Sequence, residues 1–284
     1  MKIIAPGPES FIRSKQEQFM VPAFKSVKTT KIALIDADTI KYKVINSIAK
    51  DYNAKTAHIY ADPIGIYTAE EISKIVSRFD AKGYIFCFSG ASQDTFRCSV
   101  AFDKKYKGTR TEDVSYLTEI QDRYDVVKYI KERYPTLWYK DLEADDILSM
   151  LQDDDTFIYS EDKDLRQVPG THYDISKGEF IEVSESEALN FLMTQMIIGD
   201  SVDNISGLRS YGIVKAKQLL TNLNNNSLVT TVLQEYIKVY GLIKGIDCFV
   251  ESWNLLKLRL NRGDYFLSKY KMAFDTLEMI KNLK

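Results

Sequence analysis

Short apolar runs alternate with segments of helical period along the first two hundred residues. KIALIDAD (31–38) reads as a buried strand that ends in acid, and YIFCF (84–88) as a second, closed by Ser89-Gly90. TFIYS (156–160) is a third, again followed by acids. In AEEISKIVSRFD (69–80) the apolar positions Ile72, Ile75, Val76 and Phe79 share one face of a helix. Residues 114–134 read as a helix rich in Tyr and charge, ended by Pro135. EADDILSML (143–151) predicts a helix whose first turn is acidic, where carboxylates suit the helix dipole. THYDI and EFIEV predict a hairpin around Ser176-Lys177-Gly178. A further amphipathic helix covers 185–198. Beyond about residue 204 the pattern is mostly helical, with Gly207 and Gly212 marking tight turns.

Continuous apolar strands between helices predict an α/β fold, with a mainly parallel central sheet flanked by helices. In such sheets the site lies beyond the carboxyl ends of the strands, where Asp36, Ser89 and Asp162 fall. Residues 1–30 hold three prolines and no clear period, and are expected to form an arm. The α/β core is expected over 31–199 and a helical region over 200–284. The basic, aromatic tail from 249 to 284 is expected to pack on the core. No internal repeat or low-complexity segment breaks this pattern.

The 284 residues are 45% hydrophobic and 27% charged, as in an ordinary globular protein. No apolar run approaches the roughly 20 residues of a membrane span. The start of the chain has no sustained apolar segment, so no secretory signal is expected. Cys87, Cys98 and Cys248 are too few and too scattered for a disulfide framework or a zinc site. His58 and His172 stand far apart, as ordinary surface or packed residues. A reducing cytoplasm and a monomer are the expectations. The net charge of −2 hides a partition. Residues 141–203 hold 3 Lys+Arg against 17 Asp+Glu, whereas 204–284 hold 12 against 6. An acidic centre with basic flanks suits an enzyme that holds metal in its centre and a phosphate backbone around it.

The acids fall in four clusters: Asp36 with Asp38, Glu143-Ala-Asp145-Asp146, Asp162 with Asp164, and Asp200 with Asp203. Carboxylates gathered from four places repel one another unless cations hold them. All are hard oxygen donors, so two Mg ions are the expected occupants, with Mn as an alternative. Two such ions about 4 Å apart serve phosphodiester hydrolysis, one acidifying a water and the other stabilising the leaving oxygen. Asp38 reads equally as a cap or surface residue. The run KKYKGTR (104–110) brings Lys107 and Arg110 as cations for the scissile phosphate, and Tyr106 as a platform for an unpaired base. Gly207 and Gly212 bound a turn that opens a helix. Helix N-termini of this kind bind phosphate, with Lys215 and Lys217 adding charge.

These motifs, in this order over about 31–222, resemble the 5′ nuclease family of flap endonucleases and bacteriophage 5′→3′ exonucleases. LEADD, SEDKDL and GDSVDNISGL…YG…KAKQLL carry the likeness best. The resemblance implies a PIN-like core and a first metal site of Asp36, Glu143, Asp145 and Asp146. It implies a second site of Asp162, Asp164, Asp200 and Asp203. Lys107 and Arg110 would stand at the base of a helical arch over about 104–135. Residues around 200–220 would form a helix–three-turn–helix that grips duplex DNA around a K ion. The implied partner is DNA with a 5′ end, flap or overhang, or an RNA primer, in a replicative role. Three positions depart from the pattern: Ser89-Gly90 where an aspartate is usual, with Asp94 nearby; Ser210 where a glycine is usual; and Val214 where a lysine is common, Lys215 following it.

Rival readings are a haloacid dehalogenase-type phosphatase, with Asp36 as nucleophile and Asp38 as acid/base, and a PIN-like ribonuclease. A non-catalytic binder of DNA structures with a decayed metal site is the third.

Overall fold

A computed structural model of the chain describes residues 27–53, 63–109 and 126–260. Two short strands come first: β1 (Val27–Lys28), at the end of the segment expected as an arm, and β2 (Ile32–Asp36). β1 pairs in parallel with β3 (Phe79–Asp80). β2 is central to a six-stranded sheet completed by β4 (Gly83–Phe88), β5 (Thr136–Trp138), β6 (Thr156–Ser160), β7 (Gly170–Asp174) and β8 (Glu179–Val183). The strand order is β5-β4-β2-β6-β7-β8. All pairings are parallel except β7 with β8, the expected hairpin. The mixed α/β sheet with flanking helices therefore matches the sequence reading.

Alternation along the strands feeds two cores. Ala33, Ile35, Phe86, Phe88 and Phe157 face one side, against helices Ala37–Asn53, Pro63–Arg78 and Val126–Arg133. Leu34, Cys87 and Ile158 face the other, against Ile147 and Leu148 of helix Ala144–Leu151. A third cluster lies among helices Glu185–Ile198, Ile213–Leu220, Asn225–Tyr240 and Leu242–Leu256, where Met193, Met196, Val232, Tyr236 and Phe249 are enclosed. Among the described residues no helix is long and apolar enough to cross a membrane.

Several elements differ from the expectation. Helix Pro63–Arg78 starts six residues before 69, with proline in the first turn, where its missing N–H is not needed. Helix Ala37–Asn53 lies beyond the elements the sequence predicts, although Ile40, Val44, Ile45 and Ile48 give it a buried stripe. β5 follows Pro135 directly, and the Pro135 carbonyl accepts from Phe86 N at 2.9 Å. Of the helix expected over 114–134 and of the arch, residues 110–125 lie outside the described residues, as does the tail from 261. The tail residues before that, Leu255, Leu256 and Leu258, are buried.

The chain leaves β2 toward β4 and β5, then returns to β6 on β2's other side. The carboxyl ends of β2, β4 and β6 thus meet at a switch of direction, where parallel sheets leave a crevice.

Candidate active site

Asp36 ends β2 and caps the helix that follows. Its Oδ1 accepts from Asp38 N at 3.1 Å, and its Oδ2 from Thr39 Oγ1 at 2.8 Å and Ser160 Oγ at 2.9 Å. Burial, then the Asp38 charge, pushes its carboxyl up. Asp36, and not Asp38, is therefore the cap; Asp38 turns to Lys41 of its own helix at 4.0 Å.

Glu143 precedes helix Ala144–Leu151 and forms a capping box with Asp146. Glu143 Oε2 accepts from Arg97 Nη1 at 2.8 Å and from the Tyr106 hydroxyl at 2.9 Å, while Oε1 pairs with Lys107 Nζ. Burial pushes the Glu143 carboxyl up, but the Arg97 and Lys107 charges outweigh it and hold it below the usual value. Asp146 has a different place from the one the motif implied. It is 0% exposed, and Arg97 grips both its oxygens, Nη1 at 2.6 Å and Nη2 at 2.9 Å. Asp145 sits between these two in sequence with none of this compensation. Burial, then the charges of Asp162 and Asp36, pushes it well above the carboxylate range.

The remaining acids arrive from the other side of the crevice. Asp162 follows β6, and its Oδ1 accepts from Asp164 N at 2.8 Å. Asp164 lies in the turn Lys163–Gln167 and receives Gln195 Nε2 at 2.7 Å. Burial and the charges of Asp162 and Asp200 push its carboxyl up to about 6. Asp200 and Asp203 belong to a ribbon of β9 (Gly199–Asp200) and β10 (Ile205–Ser206), Asp200 in its first strand and Asp203 in the turn. Asp200 Oδ1 accepts from Val202 N and Asp203 N, at 2.8 and 3.2 Å. Asp203 Oδ2 accepts from the same Tyr106 hydroxyl that reaches Glu143. Glu143, Asp145, Asp164, Asp200 and Asp203 line one small cavity of about 30 Å³.

Among the described residues no three carboxylate, histidine or cysteine side chains converge tightly enough to cage an ion outright. Protein donors take their oxygens instead: Arg97, Lys107, Tyr106 and Gln195. The donor set still fits a hard divalent cation, since it is all oxygen and its mutual repulsion is evident at Asp145 and Asp164.

In sequence, 232 residues are 28% identical to a 5′-3′ exonuclease of Buchnera aphidicola subsp. Acyrthosiphon pisum, covering 75% of this chain and 76% of that one. The chain resembles a 5′ nuclease. No protein-family model matches it. Among solved structures, the T5 5′-exonuclease with bound zinc is 17% identical, with a TM-score of 0.49 over 87% of this chain and 98% of that one. The T5 D15 protein co-crystallised with metal ions is 17% identical, with a TM-score of 0.48 over 88% and 99%.

The cations and the glycine-bounded turn have their own geometry. Lys107 holds a left-handed φ of 55°, and its N–H donates to the Asp203 carbonyl at 2.9 Å. Arg110 lies outside the described residues. Tyr106 corrects the expectation of a stacking platform: it is 5% exposed, packed in the helical cluster, with its hydroxyl between two carboxylates. Gly207 is a packing glycine, since a Cβ there would lie 2.4 Å from Ile198 C. Gly212 precedes helix Ile213–Leu220 in the open and offers no side-chain cap. Lys215 is exposed and donates to the Ser210 carbonyl at 2.8 Å; Lys217 is exposed. Ser210 itself takes a φ of 65°, the left-handed conformation that makes glycine common at such a place.

Ser89 carries no charge, but its Oγ accepts from Ala144 N at 2.9 Å and so caps the acidic helix. Asp94 pairs with Lys140 at 3.6 Å. Sequence reasoning missed Arg97, Gln167 and Gln195. One signal for Arg97 existed: three acids opening one helix call for a buried cation somewhere. The two amides left no such trace.

Proposed function

We propose that this chain is a metal-dependent 5′ nuclease that hydrolyses phosphodiester bonds of DNA near a 5′ end or at a flap or overhang. The observation that carries the reading is one crevice lined by Glu143, Asp145, Asp164, Asp200 and Asp203, with Asp36 and Asp162 beside it at the ends of the parallel strands β2 and β6 and Lys107 reaching Glu143. The similarity to a protein named as a 5′-3′ exonuclease supports it.

In this reading Asp36, Glu143 and Asp145 would hold one Mg, and Asp162, Asp164, Asp200 and Asp203 the other, with Mn as a substitute. Bound there, such ions supply Lewis acidity toward the attacking water and the phosphate. The rest falls to the chain. Lys107 exchanges Glu143 for the scissile phosphate, neutralising charge as it develops. Tyr106 keeps Glu143 and Asp203 in fixed relation. Arg97 holds Asp146 and the start of helix Ala144–Leu151, so Asp145 is presented at a fixed place. The uncapped start of helix Ile213–Leu220, with Lys215 and Lys217, grips the duplex backbone as one part of a helix–three-turn–helix, which would take a K ion. Residues about 104–135 serve as the arch, with Arg110 at its base.

The test uses a flap or 5′-overhang duplex labelled separately at each 5′ end, with Mg or with EDTA. Short products from the flap strand's 5′ end should appear with Mg alone. Asp162→Asn should abolish them at any Mg concentration, and Lys107→Ala should lower kcat more than it raises KM. Unchanged cleavage by Asp162→Asn would refute the metal assignment. Salt-sensitive binding without any cleavage would leave a DNA-structure binder, with Ser89 standing where the pattern has a carboxylate.

A further inference from the structure

Behind Asp164 runs a chain of two side-chain amides. Gln195 Nε2 donates to Asp164 Oδ1 at 2.7 Å. Gln167 Nε2 donates to Gln195 Oε1 at 2.7 Å and to the Leu256 carbonyl at 3.0 Å. Gln167 Oε1 accepts from Leu258 N at 3.3 Å.

The direction of this chain is determined by its far end. A primary amide has an oxygen and a nitrogen of similar shape, so its orientation follows from its partners. The partners of Gln167 include two backbone groups of fixed polarity: a peptide N–H only donates and a carbonyl only accepts. Gln167 must therefore offer oxygen to Leu258 and nitrogen to Leu256. Its second amide proton then meets Gln195 Oε1, and Gln195 is left pointing its own nitrogen at Asp164. Reversing either amide would set oxygen against oxygen. Polarity thus passes from two peptide groups after helix Leu242–Leu256, through two side chains, to a carboxylate of the site.

The two amides also join the elements that carry the acids. Gln167 closes the turn Lys163–Gln167 that holds Asp164, and Gln195 is buried near the end of the helix that leads to Asp200. The same C-terminal segment reaches the opposite acids. Arg97 Nε donates to the Leu255 carbonyl at 2.8 Å, and Arg259 N to Asp146 Oδ1 at 3.2 Å.

We propose that Gln195, oriented by Gln167 and the peptide groups of Leu256 and Leu258, is a positioning residue for Asp164: it holds one carboxylate oxygen so that the other is preset for a divalent cation. The inference rests on the metal-dependent nuclease reading.

Two measurements on the full chain test it: Mn binding without DNA, from the loss of free-ion electron paramagnetic resonance signal, and the Mg needed for half-maximal cleavage, with KM for DNA taken separately. Gln195→Met and Gln167→Met keep side-chain length and remove polarity. Each should weaken Mn binding about tenfold, the scale on which partners of metal ligands act. The double variant should be no weaker than the worse single one, because both act through one chain. KM for DNA should not change, and high Mg should restore cleavage. Mn binding by Gln195→Met equal to wild type, or losses that add, would overturn the proposal. If Gln195→Met does not fold, Gln167→Met is judged by the same tenfold criterion. Asp164→Asn separates the two levels. If it binds Mn as wild type does, Asp164 is not a ligand and the proposal falls, whereas the nuclease reading stands or falls on Mg-dependent flap cleavage by wild type. If it loses Mn while Gln195→Met does not, the positioning role alone falls.

Discussion

Neighbours, more than residue type, assign roles to the acids. Asp145 and Asp146 are adjacent in sequence, yet Asp146 sits wholly inside on a two-pronged Arg97 contact while Asp145 faces other carboxylates. A buried ion pair adds little net stability over apolar residues of the same shape, but removing one partner leaves an uncompensated charge. Arg97→Met should therefore cost about 3–5 kcal/mol, read as a lower urea midpoint at constant slope. Arg97→Met combined with Asp146→Leu should recover most of that loss. An unchanged midpoint for the single variant would mean that the Arg97–Asp146 contact contributes nothing to holding the fold. Tyr106 makes a similar point, since its buried hydroxyl serves two carboxylates and its ring is unavailable to a base.

At the scale of elements, the ribbon of β9 and β10 carries two of the acids on a pair of glycines that touch backbone to backbone. A Cβ on Gly199 would lie 2.4 Å from Gly207 N, and one on Gly207 2.5 Å from Gly199 N. Gly199 also has a φ of 72°, which side chains rarely adopt. Gly207→Ala is the cleaner probe, because the φ of Gly207 is not positive. Pushing the strands apart should cost about 1–3 kcal/mol and displace Asp200 and Asp203 together. The expected result is a lower melting temperature and a lost Mg response in the same variant. A melting curve identical to wild type would show that the ribbon yields without strain. The acidic helix is set differently, by Ser89 Oγ on its first N–H, so an uncharged residue here places charged ones.

For the whole molecule, the gathered acids make the metal-free fold sensitive to pH. Asp145 and Asp164 have carboxyls raised above their unfolded values, Asp164 to about 6. The folded state then binds more protons than the unfolded one between about pH 4, the ordinary aspartate value, and those raised values. Their contribution is full below that window and is lost as pH rises through it. In EDTA the protein should therefore melt higher at pH 5.5 than at pH 7.5 as far as these groups decide it. Mg at pH 7.5 should restore the difference, since a ligand of the folded state alone stabilises it. Asp145→Asn should flatten the pH dependence in EDTA and lose most of the Mg effect. Stability in EDTA that rises over this window in wild type, with no change in Asp145→Asn, would argue against repulsion among the acids. His172 works in the opposite direction, because burial lowers its value, and Asp145→Asn separates the two.

The sequence by itself determined the α/β alternation, the strands that end in acid and the hairpin at 170–183, because such signals lie between near neighbours. It also singled out the acids, because two strand ends, one helix start and one glycine turn mark them locally. The tertiary structure decided which of those acids faces a cation and which faces another acid. Arg97 comes from 49 positions away to Asp146, and Gln195 from 31 positions away to Asp164. A carboxylate's partners are chosen by packing across the fold, and no local spacing encodes them. The same holds for Tyr106, where a basic, aromatic run gives no sign that its ring will be enclosed among four helices.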